Sequence, residues 1–305
     1  MDVERFAENP LITPGMDERM GENVNGPSLI RAPEWFSDPL GEYYLYFAHH
    51  HGGYVRLAYA DDLHGPWTIH APGALKLEET MFHGAGTYDY GESTSSEHIA
   101  SPDVHVDEGE ERIRMYYHGC CGPFEVEGRE HPQVTCVATS TDGLSFDSRD
   151  EPLGVSYFRV WEYGGAYYAV ANDGHLYRSP DPLTGWTREH ELYPRNRHFA
   201  VRFDDEDTLQ LFLTRRGDRP ERIMVSTMDL TPHHSEWEPA EPETILEPER
   251  DYEGADEPLE ESEAGAALEP VRQLRDPAIY EEGGRTYLFY SIAGERGIAG
   301  AEVRF

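Results

Sequence analysis

A short pattern of strands and turns recurs along the chain and restricts its fold more than any other feature. Each copy has strands rich in Tyr, Val, Ile, Phe and Leu, a turn that carries Asp and Leu, and a last strand that opens on an aromatic residue. Turn and aromatic occur together in four copies, as Asp62-Leu63 with Trp67, Asp142-Gly143-Leu144 with Phe146, Asp181-Pro182-Leu183 with Trp186, and Asp229-Leu230 with Trp237. Such copies of one supersecondary unit indicate a repeat architecture.

Five four-stranded copies predict an all-β fold, a five-bladed β-propeller with antiparallel blades, in one domain that spans residues 1–305. The fifth copy lacks a fourth strand, and we expect the N-terminal patch at Leu11-Ile12 to supply it and close the ring. A β-sandwich with similar strand spacing is the alternative, but it gives no reason for the paired turn and aromatic. The expected blades cover residues 25–70, 98–150, 156–192, 196–240 and 273–305.

The negative charge of the chain limits its partners. The 305 residues include 59 Asp and Glu but only 25 Lys and Arg, which gives a formal charge of −34. Such a surface repels nucleic acid and anionic membranes, so neither is an expected partner, whereas the oligomeric state stays open. Lys76 is the single lysine, and an acidic surface with almost no lysine resembles the salt-adapted proteins of halophilic archaea. High-GC codon bias is the alternative cause of this composition.

The cysteines and the N-terminus bear on the cellular location. Cys120, Cys121 and Cys136 are odd in number and lack the spacing of a metal site, so we expect all three to be reduced. The first residues contain no apolar signal region, and no window approaches the length of a membrane span. A cytoplasmic protein is the resulting expectation.

Polar residues gather at one end of the predicted blades. In antiparallel strands, the start of the first strand and the end of the second lie at the same edge. Aligning the first strands places Asp276 level with Ser101 and Gly26, with Tyr157 and Phe199 at this position in the third and fourth copies. We call this end of the propeller the mouth. The residues expected to line it are Asn25, His49, His50, His98, Ser101, Asp103, His118, Tyr157, Arg159, Asp173, His198, Arg215, Arg216, Arg275, Asp276 and Glu295.

Two insertions connect an outermost strand to the next innermost strand and should therefore rim this mouth. They cover residues 71–97 and 238–272. The second is strongly acidic, and we expect it to be a solvated loop.

Arginine and histidine suggest how the mouth would bind a ligand. Guanidinium groups recognise carboxylate, sulfate or phosphate through paired hydrogen bonds, although each arginine could instead pair with one of the many acidic residues. We expect neutral, hydrogen-bonding histidines and no metal ligand among them. No cofactor is required, and a single cation near the axis, held by one histidine and waters, is the alternative.

Three motifs resemble the five-bladed glycoside hydrolases of families 43, 32, 117 and 130. They are Arg275-Asp276-Pro277, Asn25-Gly26-Pro27 and the segment A-T-S-T-D-G-L-S-F at 138–146. The resemblance implies inward carboxylates that activate water or attack, donate a proton and tune a pKa. This chain departs from that pattern, since it has Asn25-Gly26 where an Asp is usual and no glutamate on the third and fourth inner strands. Only Asp103 and Asp276 can be carried over, so either a His or Tyr replaces one carboxylate, or a loop residue such as Glu97, Asp173 or Glu295 supplies the acid, or the protein is no glycosidase.

These residues predict a glycosidase that cleaves a small anionic oligosaccharide, either uronate-containing or sulfated. Asp103 would be the base, His98 or His118 the proton donor, and Asp276 would orient the substrate or tune a pKa. The substrate-binding candidates are Asn25, His49, His50, Ser101, Tyr157, Arg159, Asp173, His198, Arg215, Arg216, Arg275 and Glu295. One alternative is an oligosaccharide lyase, in which Arg neutralises a uronate and His or Tyr removes its C5 proton. The other is a sugar-binding propeller without catalysis.

Overall fold

The computed structural model describes residues 1–90, 94–172 and 174–305 and is a five-bladed β-propeller. Strand β1 (Asp2–Arg5) opens the chain and belongs to the last blade. Blade one follows, with four antiparallel strands that run outward from the axis in chain order. They are β2 (Asn25–Arg31), β3 (Tyr43–Ala48), β4 (Tyr54–Ala60) and β5 (Thr68–Lys76).

A small hairpin separates the first two blades and consists of β6 (Thr87–Asp89) and β7 (Thr94–Ser96). Blade two has the longest strands, and its third strand pairs with two short outer segments. Its strands are β8 (His98–Asp107), β9 (Arg112–Val126), β10 (Arg129–Ser140), β11 (Asp147–Ser148) and β12 (Gly154–Val155).

The remaining blades repeat the same order. Blade three is β13 (Arg159–Tyr163), β14 (Ala166–Val170), β15 (His175–Ser179) and β16 (Thr187–Glu191). Blade four is β17 (Asn196–Phe203), β18 (Thr208–Arg215), β19 (Ile223–Asp229) and β20 (Glu243–Leu246). Blade five is β21 (Arg275–Glu282), β22 (Arg285–Ser291) and β23 (Ile298–Arg304), completed by β1.

Helical structure among the described residues is limited to single 3₁₀ turns. They are Pro14–Met16, Glu18–Met20, Leu77–Glu79, His234–Glu236 and Asp251–Glu253. In the described part of the chain, none of these helices has the length and apolar character needed to cross a membrane.

The N-terminal segment closes the ring, as expected, but through a different strand. Asp2 to Arg5 pair with Ala301 to Arg304 over four residues, whereas Ile12 makes one isolated bridge to Ile298. Leu11 and Ile12 are buried with Phe6 between blades one and five, where they act as core residues. Burial there removes more of their apolar surface from water than a position on an edge strand would.

The recurring aromatics explain why the copies look alike. Phe146, Trp186 and Trp237 each pack against a tyrosine of the preceding blade. Each large ring removes apolar surface from water at a blade interface, so one ring per copy fastens adjacent blades. The sequence predicted that Trp237 opens the fourth strand of blade four. That strand begins later, at Glu243, so Trp237 precedes it.

The Asp of each turn has a local role. Asp142 accepts hydrogen bonds from the backbone N–H groups of Leu144 and Ser145, at 2.8 and 3.0 Å. Asp181 does the same for Leu183 at 2.8 Å. These Asx turns reverse the chain between the third and fourth strands.

Candidate functional site at the propeller mouth

The inner strands break their register where they reach the axis. The irregularity lies between Asn25 and Ser28 in β2, and the equivalent breaks occur in β8 and β21. Gly26, Ser101 and Asp276 have positive φ angles of 63°, 52° and 46°. Residues other than glycine rarely adopt this conformation, and they do so mainly at functional sites. The three residues thus occupy equivalent positions on their inner strands, as their alignment predicted.

Blades three and four complete this axial ring. Tyr157, with a φ of 71°, takes the equivalent place in blade three, as expected. In blade four the register break lies at Arg197, so His198 faces the ring. Phe199 is instead fully buried in the core between blades three and four, because adjacent strand residues point to opposite faces.

Asp276 is the best-connected member of the ring. Its Oδ1 accepts from the Tyr157 hydroxyl at 3.2 Å and lies 3.2 Å from His198 Nε2, while its Oδ2 accepts from Ser291 at 3.1 Å. His198 Nδ1 lies 3.0 Å from the Thr214 hydroxyl. Burial lowers the pKa of His198, so the neutral ring donates through Nε2 to the carboxylate. Hydrogen bonds from three donors fix Asp276 in one orientation.

Arg159 lies beside Tyr157 in the mouth and, among the described residues, has no carboxylate partner within hydrogen-bonding distance. Its guanidinium carbon sits 3.9 Å from the centroid of the Tyr157 ring. One terminal nitrogen donates to the carbonyls of Ser101 and Phe158, at 3.3 and 2.9 Å. The other is buried and has no hydrogen-bond partner among the described residues. A buried charged donor without a partner is costly and marks a place where a ligand can bind.

Asp103 lies on β8, two residues after Ser101. Its Oδ2 is 2.9 Å from His105 Nε2 and accepts the backbone N–H of Val160 at 2.9 Å. Burial opposes its ionisation, but His105, Arg159 and the Val160 N–H together hold the pKa of Asp103 below its usual range. The carboxylate is therefore ionised at neutral pH.

Two arginines and two glutamates form a buried network on the side of blades four and five. Arg275 Nη1 donates to Glu295 Oε1 at 2.7 Å, and its Nε lies 3.1 Å from Glu221 Oε2. Arg197 lies 3.6 Å from Glu221 and 3.8 Å from Glu295. All four side chains are almost completely buried. Burial would raise the pKa of both glutamates, but the arginines and neighbouring histidines lower it, so each stays ionised.

Glu221 was not among the residues predicted from the sequence. It lies in the turn between β18 and β19, and the corresponding turns of other blades supplied predicted mouth residues, so its position was a usable signal. It also accepts from the Ser262 hydroxyl at 2.6 Å. Ser262 belongs to the acidic insertion, which the strand connections placed at the rim of the mouth, but no local pattern singled out Ser262 within it.

The insertion at 238–272 is packed against the propeller over part of its length, which corrects the expectation of a solvated loop. The backbone carbonyls of Glu263 and Gly265 accept from Arg197. Glu253 is fully buried and accepts from Arg5 at 2.7 Å and from the Tyr290 hydroxyl at 2.8 Å. The Glu253 carboxylate thus has specific partners, whereas the side chains of Asp251, Asp256 and Glu263 in the same insertion are exposed to water.

Asn25 and Glu295 join the network to blade one. Asn25 donates to Glu295 Oε2 at 2.9 Å, and Asn23 donates to the same oxygen at 2.6 Å. His50 Nδ1 lies 3.4 Å from this oxygen. The turns that follow the second strands thus meet the inner strands at one mouth, as predicted.

The histidines gather on the side of blades one and two. The ring of His98 lies 6.1 Å from that of His50 and 6.0 Å from that of His118. Burial lowers the pKa of His98 to about 4 and that of His118 well below its usual value. A lowered pKa favours the neutral ring at pH 7, in which one nitrogen donates and the other accepts, and the assignment of His98 or His118 as the proton donor stays a prediction. His49 also has its pKa lowered by burial, to about 4, and its Nδ1 accepts from the backbone N–H of His51 at 2.9 Å.

Cys120 and Cys121 form a disulfide, which corrects the expectation that all cysteines are reduced. Their Cα atoms are 3.2 Å apart, so they do not alternate across the sheet as strand neighbours usually do. Cys136 is free and buried. The two sulfurs and one nitrogen of His98 lie within 4.8 Å of one another. Sulfurs bonded to each other are not thiolate ligands in this state.

The two adjacent arginines at the end of β18 separate. Arg216 bends toward blade three and donates to the carbonyls of Asn196 and Asn172, at 3.2 and 3.5 Å. Arg215 points to Glu241 at 3.7 Å, which places it outside the contacts of the axial ring. Asp173 lies outside the described residues.

Sequence comparison identifies one relative over nearly the whole chain. An uncharacterized protein of Acanthamoeba polyphaga mimivirus is 36% identical over 334 aligned residues, which cover 99% of this chain and 90% of that protein. The chain belongs to the family of this mimiviral protein. No profile of a known protein family matches the chain.

Solved structures share the fold of this family at low identity. A structure of glycoside hydrolase family 130, described as mannoside phosphorylases that include hydrolases of β-1,2-mannosidic linkages, has a TM-score of 0.64 at 11% identity and covers 99% of this chain and 93% of its own. A glycosyl hydrolase from Bacteroides ovatus gives 0.62 at 12%, with 98% and 92% covered. A family 43 β-xylosidase/α-arabinofuranosidase from a compost metagenome gives 0.58 at 12%, with 93% and 92% covered. The shared feature is the five-bladed propeller.

Proposed function

We propose that this protein is a carbohydrate-active enzyme of the glycoside hydrolase type, which cleaves a small oligosaccharide that carries a carboxylate or sulfate. The observation that carries the proposal is the buried Arg159 nitrogen in the mouth, which has no hydrogen-bond partner in the described part of the chain and belongs to a guanidinium that interacts with the ionised Asp103. An anionic group on the sugar would supply the missing acceptor and form a charge-assisted hydrogen bond. The fold shared with propeller glycosidases supports a sugar as the ligand.

Asp103 is the base that activates water in this proposal. A general base must be unprotonated at working pH, and the lowered pKa of Asp103 meets that requirement. Asp276 orients the substrate, because Tyr157, His198 and Ser291 already fix its two oxygens. His49, His50, Asn25 and Ser101 line the same mouth and bind sugar hydroxyls.

The proton donor differs from that of ordinary inverting glycosidases. Such enzymes use a carboxylic acid with a raised pKa. Glu221 and Glu295 are both ionised by their arginines, so neither can serve. The Tyr157 hydroxyl retains its proton, since burial raises its pKa, and it faces the ring. We assign the donor role to Tyr157.

The test is a turnover assay on matched neutral, uronate-containing and sulfated oligosaccharides. The wild type should release reducing sugar from the anionic members, and Asp103→Asn should lower the rate about 10²- to 10⁴-fold, as expected for loss of a general base. Asp107→Asn is the matched control, because Asp107 makes the same chemical change at the far end of the same strand. Full turnover by Asp103→Asn would refute the assignment, and tight binding without turnover would support a sugar-binding propeller.

A lyase is the second candidate and rests on the same arginine, with His118 in place of Asp103 as the base. Arg159 would neutralise the uronate carboxylate, and neutral His118, whose buried Nδ1 has no hydrogen-bond partner among the described residues, would remove the C5 proton. β-Elimination leaves a carbon–carbon double bond in the product, and hydrolysis does not. A rise in near-ultraviolet absorbance during turnover would therefore select the lyase.

A further inference from the structure

We propose that His105 is the positioning residue for Asp103, because its ring holds one oxygen of the carboxylate and leaves the other free to bind the water that attacks the sugar. This inference rests on the proposed function, since it assigns a partner to the base named there. His105 was not among the site residues predicted from the sequence. It reaches Asp103 from the end of the inner strands that lies away from the mouth.

The hydrogen bonds of Asp103 all go to one of its two oxygens. His105 Nε2 lies 2.9 Å from Oδ2, and the backbone N–H of Val160 donates to the same oxygen at 2.9 Å. A carboxylate oxygen can only accept, so His105 Nε2 carries a proton and donates it to the bond. Among the described residues these are the hydrogen bonds of the carboxylate, which leaves Oδ1 for water. A general base needs such a free oxygen to take up the proton of the water.

Strand geometry and packing hold His105 in this place. Asp103 and His105 are two residues apart on β8, so their side chains point to the same face of the blade. The His105 ring lies 5.7 Å from the ring of Tyr116, which is buried between blades two and three. Contact with a buried ring restricts rotation of the imidazole, as a side chain that orients a base requires.

A cavity at the far end of the inner strands connects His105 to solvent. It has a volume of about 830 Å³ and is lined by the last residues of β2 and β8 and by the loop that follows β2. His105 lines this cavity, and its side chain is 31% exposed, compared with 15% for Asp103. A small molecule can therefore reach the position of His105 without passing through the mouth.

The groups that face Asp103 give His105 a measurable influence on its ionisation. Burial raises the pKa of Asp103, but His105, Arg159 and the Val160 N–H outweigh burial and hold the pKa below its usual range. Tyr116 and Tyr157 also face this carboxylate, and burial raises the pKa of both phenols, so they are neutral at pH 7. Loss of His105 should therefore raise the pKa of Asp103.

The charged groups around His105 lie on β9 and along the cavity. Arg114 is opposite His105 on β9, and its guanidinium lies 3.4 Å from the carboxylate of Asp107. The charged residues that line the cavity beside His105 are Arg31, Glu34, Glu42, Asp61 and Glu108. Replacing His105 leaves all of these groups in place, so a change in the ionisation of Asp103 would report the lost imidazole.

The test compares His105→Ala with the wild type on the anionic oligosaccharide that the wild type cleaves fastest. The kcat should fall about 10- to 100-fold, because one hydrogen bond to a charged group is lost, and KM should not change, because His105 does not contact the substrate. The acid limb of kcat/KM should move to higher pH as the pKa of Asp103 rises. His105→Gln should recover most of the lost rate, since its amide N–H can donate to the same oxygen.

Free imidazole provides a readout that a purely structural role would not affect. The space left in His105→Ala borders the cavity, so added imidazole should enter it and restore part of kcat with saturable dependence on concentration. The wild type and Asp103→Asn should gain nothing. His64→Ala is the matched control, because His64 also follows an aspartate by two residues, lies 2.8 Å from the Asp62 carboxylate and is exposed. It should keep the kcat and the pH profile of the wild type.

Two results of the turnover assay overturn the inference while the proposed function stands. One is a His105→Ala variant with the kcat and the acid limb of the wild type. The other is a fall in kcat that neither imidazole nor His105→Gln reverses, which would assign His105 a structural role.

Carboxyl NMR tests the pair without any sugar. In protein with isotope-labelled aspartate, the resonance that is absent from Asp103→Asn belongs to Asp103. It should titrate at higher pH in His105→Ala than in the wild type, and identical titration would overturn the inference. A wild type that cleaves none of the oligosaccharides would refute the proposed function, and the assignment of Asp103 as a base with it, whereas the NMR titration would still show whether His105 holds this carboxylate.

Discussion

The two sides of the propeller mouth differ in how their polar groups are satisfied. On the side of blades four and five, Arg197 and Arg275 face Glu221 and Glu295, so each charge has a partner of opposite sign. On the side of blades one and two, His98 and His118 are buried with nitrogens that have no hydrogen-bond partner among the described residues. A compensated network can position the blades, whereas an uncompensated cluster is the part that a ligand completes.

The largest effect on stability is expected on the side of blades four and five, where each buried charge has a partner of opposite sign. Glu221→Gln removes the negative charge that faces Arg197 and Arg275 and should lower the free energy of unfolding by about 3–5 kcal/mol, as for other broken buried pairs. Denaturant unfolding measures this. Glu282→Gln, at the partly exposed pair with Arg31, is the matched control and should cost less than about 1 kcal/mol. Equal losses of unfolding free energy in the two variants would show that the buried network contributes no more to stability than a surface ion pair.

The Asp103 proposal predicts an effect on catalysis of similar size but with little loss of stability. The rate should fall about 10²- to 10⁴-fold in Asp103→Asn. The amide can still accept the backbone N–H of Val160, so unfolding in denaturant should shift by much less than in Glu221→Gln. A large fall in both the rate and the free energy of unfolding would show that Asp103 is needed for folding and not specifically for catalysis.

Acid should first reduce the stability contributed by the buried network of blades four and five. The pKa of Glu221 is lower in the folded protein than the ordinary value of 4.5, so its contribution to stability is complete above that pH and is lost as pH falls through the folded value. Asp103 contributes with the same sign. The folded value lies below pH 3, so we expect unfolding measured from pH 7 down to pH 3 to show the beginning of this loss in the wild type, below pH 4.5. Glu221→Gln should have a flatter acid limb, and an unchanged slope would contradict the prediction.

Arg159 lies between the two sides and should control the preference for anionic ligands. Arg159→Met should reduce the ratio of anionic to neutral substrate turnover by about 10- to 100-fold, since a hydrogen bond to a charged group contributes about 1.5–3 kcal/mol. Arg202→Met, at an arginine paired with Asp204 and Glu281, is the control and should leave the ratio unchanged. A ratio unaffected by Arg159→Met would remove the case for an anionic substrate.

The smallest effect on stability is expected at the histidine side. His98→Gln loses one hydrogen bond, to the carbonyl of Ser96, and should cost about 1 kcal/mol. The measurement is denaturant unfolding, beside Glu221→Gln. If His98→Gln lowers the free energy of unfolding as much as Glu221→Gln does, both sides of the mouth contribute equally to stability.

Local pattern was sufficient for the fold because each blade carries its own signals. Asp142 forms the turn, Phe146 packs on the preceding blade, and both occupy fixed offsets that recur along the chain. Asp276, Ser101 and Tyr157 were placed at the axis for the same reason, since equivalent residues of a repeat occupy equivalent positions. The prediction failed where one copy departs from the others, as with Phe199 in blade four, where the register break lies at Arg197.

The sequence by itself determined the five blades, the mouth at one end and most of the residues that line it, because these follow from short-range periodicity and strand direction. Only the tertiary structure decided which of those residues are paired. Glu221 and Ser262 reach the network from a turn and from an insertion that share no periodicity with the inner strands. Charge compensation and burial depend on contacts between distant parts of the chain, which a local pattern does not encode.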